Sequence, residues 1–169
     1  MKIAICTVGS TGDIQPYLAL ALDLRRAGHQ IKVISHPFHQ DRFQRHGFEY
    51  VSCGPVVTQQ RLNEMLDKML ATRNPLKQLQ MLMLEAFFEE GESYFRTSKA
   101  ALMDCDLAIC HMVDFLSSEA AAQLKMPRIG GILAGAGIAT AYAVPPRMPN
   151  LGRWLNPLVW KTLTWRWSD

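Results

Sequence analysis

The chain has 169 residues, enough for one well-buried core, and its 49% hydrophobic and 20% charged side chains exclude a disordered chain. A net charge of +3, with both signs mixed along the sequence, excludes the basic stripe of a nucleic-acid-binding protein. The four cysteines, Cys6, Cys53, Cys105 and Cys110, form no C-x-x-C pair, so zinc and thioredoxin-like chemistry have no support and a reducing compartment is expected.

Residues 3–8 form an apolar, β-branched run that predicts a strand buried on both faces, as in a parallel sheet. The run is too short for a signal peptide or a membrane span, so a cytoplasmic location is expected. A Gly/Ser/Thr/Asp turn follows, then a helix from Pro16 to Ala27, with Pro16 suited to its first turn and Gly28 to the position past its end. Ile31 to Ser35 is a second strand, completing a βαβ unit. Phe38 to His46 predicts a short helix and Phe48 to Ser52 a third strand. Leu62, Met65, Leu66, Met69 and Leu70 fall at the spacing of an amphipathic helix that Asn74-Pro75 closes. Leu76 to Met103 reads as a longer helix, interrupted near Gly91. A fourth strand (Leu107 to Cys110), a helix (Phe115 to Leu124) and a fifth strand (Arg128 to Leu133) follow. Residues 134–150 read as loop, and the tail from Leu151 to Trp167 has apolar residues at helical spacing.

This alternation specifies an α/β fold, a Rossmann-like doubly wound parallel sheet with helices on both faces. Ligands of such sheets bind at the carboxyl ends of the strands. The loops at 9–15, 111–115 and 134–142 therefore carry the candidate site. The first has no G-x-G-x-x-G pattern, and Ser35-His36 stands where a ribose-binding acid would end strand two, which disfavours a nicotinamide enzyme. No Lys-Ser or Lys-Thr follows the glycines, which excludes a P-loop. A flavodoxin-like binding domain is disfavoured because the loop lacks a Ser/Thr-rich phosphate cradle.

The segment Gly9-Ser10-Thr11-Gly12-Asp13-Ile14-Gln15-Pro16-Tyr17-Leu18-Ala19-Leu20 resembles the opening signature of GT-B glycosyltransferases acting on sterols, other lipids and antibiotic aglycones, of the family 28 and UDP-glycosyltransferase-like type. Ala27-Gly28-His29, then His36, Phe38, Phe43 and Gly47-Phe48-Glu49-Tyr50, are similar to the segments that follow in that family. Asp104-Cys105-Asp106-Leu107, Ala120-Ala121 and Met126-Pro127 resemble its later strand–helix–strand unit. The resemblance covers most of residues 1–135.

It implies the acceptor-binding N-terminal half of an inverting glycosyltransferase, residues 1–150, with 151–169 as a Trp-rich helical tail opening an interdomain segment. The family's donor domain would follow and is absent from this sequence. The nucleotide sugar would bind mainly to that absent domain, so no cofactor or metal is expected in this one, and the chain alone is expected to be inactive. The expected partners are the nucleotide sugar, an apolar hydroxyl acceptor and the missing donor domain or donor subunit. A non-catalytic, membrane-recruiting subunit of a split enzyme is the alternative.

Glycosyl transfer requires a base to take the acceptor hydroxyl's proton as the new bond forms. The resemblance places that role on Asp13, whose alternative is a helix N-cap. Many relatives carry Arg where Thr11 stands here. Ser10, Thr11 and Gly12 are candidates to touch donor or acceptor, or to shape the turn alone. His111 and Asp114 are expected to face the same cleft. His29, His39 and His46 read as surface or helix-end residues. Apolar residues crowd positions 62–88 (Met81, Leu82, Met83, Leu84, Phe87 and Phe88 among them) beyond what one helix face hides, which suits either core packing or a lipid-like acceptor. The tail interleaves Trp154, Trp160, Trp165 and Trp167 with Arg153, Lys161 and Arg166, fitting either contact with a membrane surface, peripheral to it, or packing on the missing domain.

Overall fold

A computed structural model describes residues 1–54, 64, 67, 68, 71, 72, 90–133, 140–142, 144 and 150–165, with side chains to 161. It divides into two compact units, Met1–Gly131 and Ile132–Asp169. The first contains strands β1 (Lys2–Cys6), β2 (Gln30–Ser35), β3 (Glu49–Ser52), β4 (Leu107–His111) and β5 (Arg128–Gly131). Its described helices are α1 (Thr11–Arg26), a 3-10 turn (Pro37–His39) leading into α2 (Gln40–Gln44), α3 (Gly91–Leu102) and α4 (Phe115–Gln123). The strands form one parallel sheet in the order β3-β2-β1-β4-β5. The predicted α/β, doubly wound class is therefore the observed one. The order reverses between β1 and β4, and the crevice at their carboxyl ends is where such sheets bind ligands.

The period-2 alternation along β1 builds two cores of different grain. Ile3 and Ile5 turn to one face with Ile31, Val33 and Ile109, where Ile14, Tyr17, Leu18 and Ala21 of α1 cover them together with Phe43 and Phe48. Ala4 and Cys6 turn to the other with Ala108 and Cys110. Those small side chains let α3 and α4 lie close, through Tyr94, Ala101, Leu102, Ala120 and Ala121. All four cysteines are free thiols, three of them buried.

One buried lysine interrupts the apolar pattern. The Lys32 ammonium bonds the Ala101 carbonyl at 3.0 Å and pairs with Asp104 and Glu49, and Lys2 pairs with the same two carboxylates. These hydrogen bonds and charges hold the Glu49 and Asp104 carboxyls below their ordinary range. The network sits at the amino ends of the strands, away from the crevice.

Three local expectations need correction. Helix α1 begins at Thr11 rather than near Pro16, with Ser10 in extended conformation as its N-cap, so Pro16 lies inside the helix and Asp13 is its third residue. A prolyl residue there leaves the Gly12 carbonyl without its helical amide and crowds it with the ring. The anticipated break near Gly91 is the start of α3. Strand β5 ends at Gly131, two residues short of the predicted end.

Of the predicted amphipathic stretch, Glu64, Asp67, Lys68 and Ala71 are helical. The apolar residues singled out between 62 and 88 lie outside the described residues. The second unit carries α5 (Asn156–Trp165), which the tail's spacing anticipated. Buried Asn156 fixes its start: the Asn156 side chain accepts from the Leu151 amide and donates to Ala141 and Asn150 oxygens, each at 3.0 Å. No helix among the described residues is long and apolar enough to cross a membrane.

Candidate functional site

Strand β1 delivers the chain into Gly9 at φ +116°, a conformation glycine adopts without strain. A Cβ there would lie 2.6 Å from Asp13 Oδ2, so the glycine also makes room for the carboxylate. Ser10 N–H and Ser10 Oγ–H both donate to that same Oδ2, each at 2.8 Å. This is the reciprocal half of a capping box, with an acid in the first turn of the helix where the backbone dipole favours it. The N-cap alternative for Asp13 is thus replaced by a third-position role. Oδ2 is committed to the cap, and among the described residues no donor reaches Oδ1.

Three rings surround this carboxylate closely enough to feel its charge: Tyr17, His39 and His111. Tyr17 lies one helical turn after Asp13 on the same face. Its hydroxyl donates to the Gly131 carbonyl at 2.9 Å, tying α1 to the end of β5. Burial, with help from Asp13 and other acidic neighbours, pushes the phenol up to about 12, so it remains a donor. His111, the last residue of β4, stacks edge-on against Tyr17 with ring centroids 5.5 Å apart. Burial depresses its pKa and Asp13 opposes that shift. Val113 N–H makes only a long, 3.5 Å approach to its Nδ1. His39 is 3% exposed, contrary to the expected surface position. Its Nε2 lies 2.9 Å from the Gly9 carbonyl, and burial is the main cause of its lowered pKa.

The sequence-predicted residues therefore separate. Ser10, Asp13 and His111 come together at the switch between β1 and β4. Thr11 and Gly12 open α1 on the exposed side of the turn, and a Cβ at Gly12 would meet only Ser10 Oγ at 3.6 Å. Asp114 does not face the crevice: it is fully buried as the N-cap of α4. Its Oδ1 accepts from Ser117 N–H and its Oδ2 from the Tyr94 hydroxyl, both at 3.0 Å. Desolvation raises its pKa against those hydrogen bonds. Exposed apolar side chains follow the same strands, Phe38 after β2 and Met112 and Phe115 after β4. Sequence reasoning missed Tyr17, whose i+4 spacing from Asp13 was available. It also missed His39, which only the adjacency of the β1 and β2 loops brings in.

Residues 3–131 match the model of the glycosyltransferase family 28 N-terminal domain. The chain belongs to this family. Over 116 residues it is 32% identical to a sterol 3-beta-glucosyltransferase of Saccharomyces cerevisiae, covering 68% of this chain and 8% of that protein. It is 27% identical over 146 residues to a sterol 3-beta-glucosyltransferase of Kluyveromyces lactis, 85% of this chain and 10% of that one. The fold matches the Streptomyces sp. SF2575 glycosyltransferase SsfS6 with a TM-score of 0.59 and 18% identity, over 77% of this chain and 38% of that one. It also matches the spinosyn forosaminyltransferase SpnP, with a TM-score of 0.58 and 15% identity, over 100% of this chain and 36% of that one. This family 28 domain thus spans about a tenth of the length of these two curated relatives and just over a third of these two solved chains.

Proposed function

We propose that this family 28 domain is the acceptor-binding half of an inverting glycosyltransferase, with Asp13 as the base that takes the acceptor hydroxyl's proton. The carrying observation is the asymmetry of the Asp13 carboxylate. Ser10 saturates Oδ2 and fixes the side chain, while among the described residues no donor engages Oδ1. As the acceptor oxygen bonds the anomeric carbon, its proton passes to Asp13 and the sugar's bond to the nucleoside diphosphate breaks. His111, a neutral ring with one N–H, can donate to an acceptor oxygen and orient it. The exposed Phe38, Met112 and Phe115 after β2 and β4 suit an apolar body that carries the hydroxyl, in line with the sterol substrates named for two relatives. The nucleotide sugar is assigned to a donor domain outside this chain, and the chain alone is inactive in this reading.

The test is Asp13→Asn in the full-length transferase. Loss of a general base costs about 10²-fold or more in kcat. Asparagine can still accept from Ser10, so the fold should persist. Near-normal turnover of a folded Asp13→Asn enzyme removes Asp13 from the mechanism.

A further inference from the structure

His39 and Asp13 are attached to opposite ends of one peptide group. The Gly9 carbonyl that His39 contacts and the Ser10 N–H that Asp13 accepts belong to the same Gly9–Ser10 peptide unit. That unit is planar and trans, so its C=O and N–H point in opposite directions and turn together. A carbonyl oxygen only accepts, so His39 Nε2 carries the proton. Donation at the carbonyl end polarises the N–H at the other end and strengthens its bond to the carboxylate.

Something must select this orientation, because Gly9 leaves the peptide free to rotate. His39 is placed to do so. Its backbone ends the 3-10 turn after β2, its ring is buried, and Phe38 meets it edge-on with centroids 5.1 Å apart.

We infer that His39 is a positioning residue for Asp13. It grips the Gly9 carbonyl, fixes the Gly9–Ser10 peptide plane, and thereby commits Oδ2 to Ser10 and turns Oδ1 toward the acceptor. This rests on the reading of Asp13 as the base. The chemistry requires a hydrogen-bond donor at position 39, whereas packing alone requires only apolar volume.

Two variants separate those demands. In the full-length transferase, His39→Leu should lower kcat about ten- to a hundredfold, the scale of a misplaced reacting group, with acceptor KM little changed. His39→Gln, whose amide can reach the carbonyl, should retain most of the turnover even where it melts lower than His39→Leu. In the Asp13→Asn background, His39→Leu should add little further loss. The 169-residue chain supplies a second readout, because the Ser10 amide resonance should shift with His39→Leu and with Asp13→Asn, and stay near its original position with His39→Gln. A His39→Leu enzyme with normal kcat, or turnover that follows melting temperature rather than the donor, overturns the proposal. If the Ser10 resonance ignores His39→Leu while Asp13→Asn abolishes turnover, the positioning link fails and the base assignment stands. If Asp13→Asn turns over normally, the base assignment fails, and the Ser10 resonance still decides the structural link.

Discussion

Asp114 combines an asset and a liability that substitution can separate. Its carboxylate caps α4 through Ser117 N–H and accepts from Tyr94, yet it is a fully buried acid whose ionised form lacks water. Asp114→Ala loses the cap, worth about 1 kcal/mol, and a charge-assisted hydrogen bond worth about 1.5–3 kcal/mol, while relieving the desolvation of the charge. A net loss of about 1–3 kcal/mol follows, or roughly 3–10 °C in Tm for a chain of this size. Asp114→Asn keeps an acceptor for Ser117 and abolishes the charge, so it should lie within about 1 kcal/mol of the parent at neutral pH. The pH dependence gives the sharper signature. An acid whose folded pKa is raised binds more protons folded than unfolded, so the parent loses stability as pH rises from the unfolded value near 4 toward the folded value. The stability of Asp114→Asn relative to the parent should therefore increase with pH across that interval. Urea unfolding of the 169-residue chain, followed by circular dichroism at several pH values, measures this. Equal losses for alanine and asparagine at pH 7, or a relative stability that ignores pH, would refute the reasoning.

Gly131→Ala should disrupt the floor of the site, because a Cβ there would meet the Tyr17 hydroxyl at 2.2 Å; a loss of about 1–3 kcal/mol is expected, and an unchanged Tm would show that Tyr17 is free to leave Gly131. The Lys2/Lys32 network should make the chain acid-sensitive. Its carboxylates have depressed folded pKa values, so their contribution is present above the unfolded values near 4 and is lost as pH falls below them; urea midpoints from pH 6 to pH 2 should show the fall, and Lys32→Met should lessen it. The second unit should bind phosphatidylserine vesicles at low salt, because Trp154 is 81% exposed beside Arg153, with Leu151, Leu155, Leu158 and Lys161 also exposed. Flotation that is absent, or insensitive to Trp154→Ala with Arg153→Glu, defeats that reading.

The sheet was legible because a parallel sheet buries both faces and leaves largely apolar runs such as 3–8, and 31–34 in spite of Lys32. The strand order was not legible in the same way, because right-handed crossovers are common to several doubly wound orders and do not choose among them. The start of α1 was misread because proline at a first turn is a strong signal, while Ser10 three residues before Asp13 is an equally good capping pair that the glycines obscured. Asp114 looked like a crevice residue from its place after β4. Its burial depends on Tyr94, which lies 20 residues earlier and arrives through α3. His39 was invisible for a similar reason: its partner is a backbone carbonyl, which has no sequence signature.

The charges around the switch point favour one kind of ligand. Burial lowers the pKa values of His39 and His111 and raises that of Tyr17, so at neutral pH all three rings are uncharged and Asp13 supplies the negative charge at their centre. The amino end of α1, which in many doubly wound proteins receives a phosphate, here carries the protein's own carboxylate, bonded to the Ser10 amide. A diphosphate entering here would meet like charge and an amide already engaged. An alcohol meets no such opposition, since it is neutral on entry and needs a base only as its oxygen begins to bond. The same capping box that stabilises α1 thus disfavours a diphosphate and, in the proposed reaction, leaves one oxygen of Asp13 for the acceptor. That division requires the diphosphate to find its positive partners on another helix terminus or side chain, as expected where a second domain closes over the crevice.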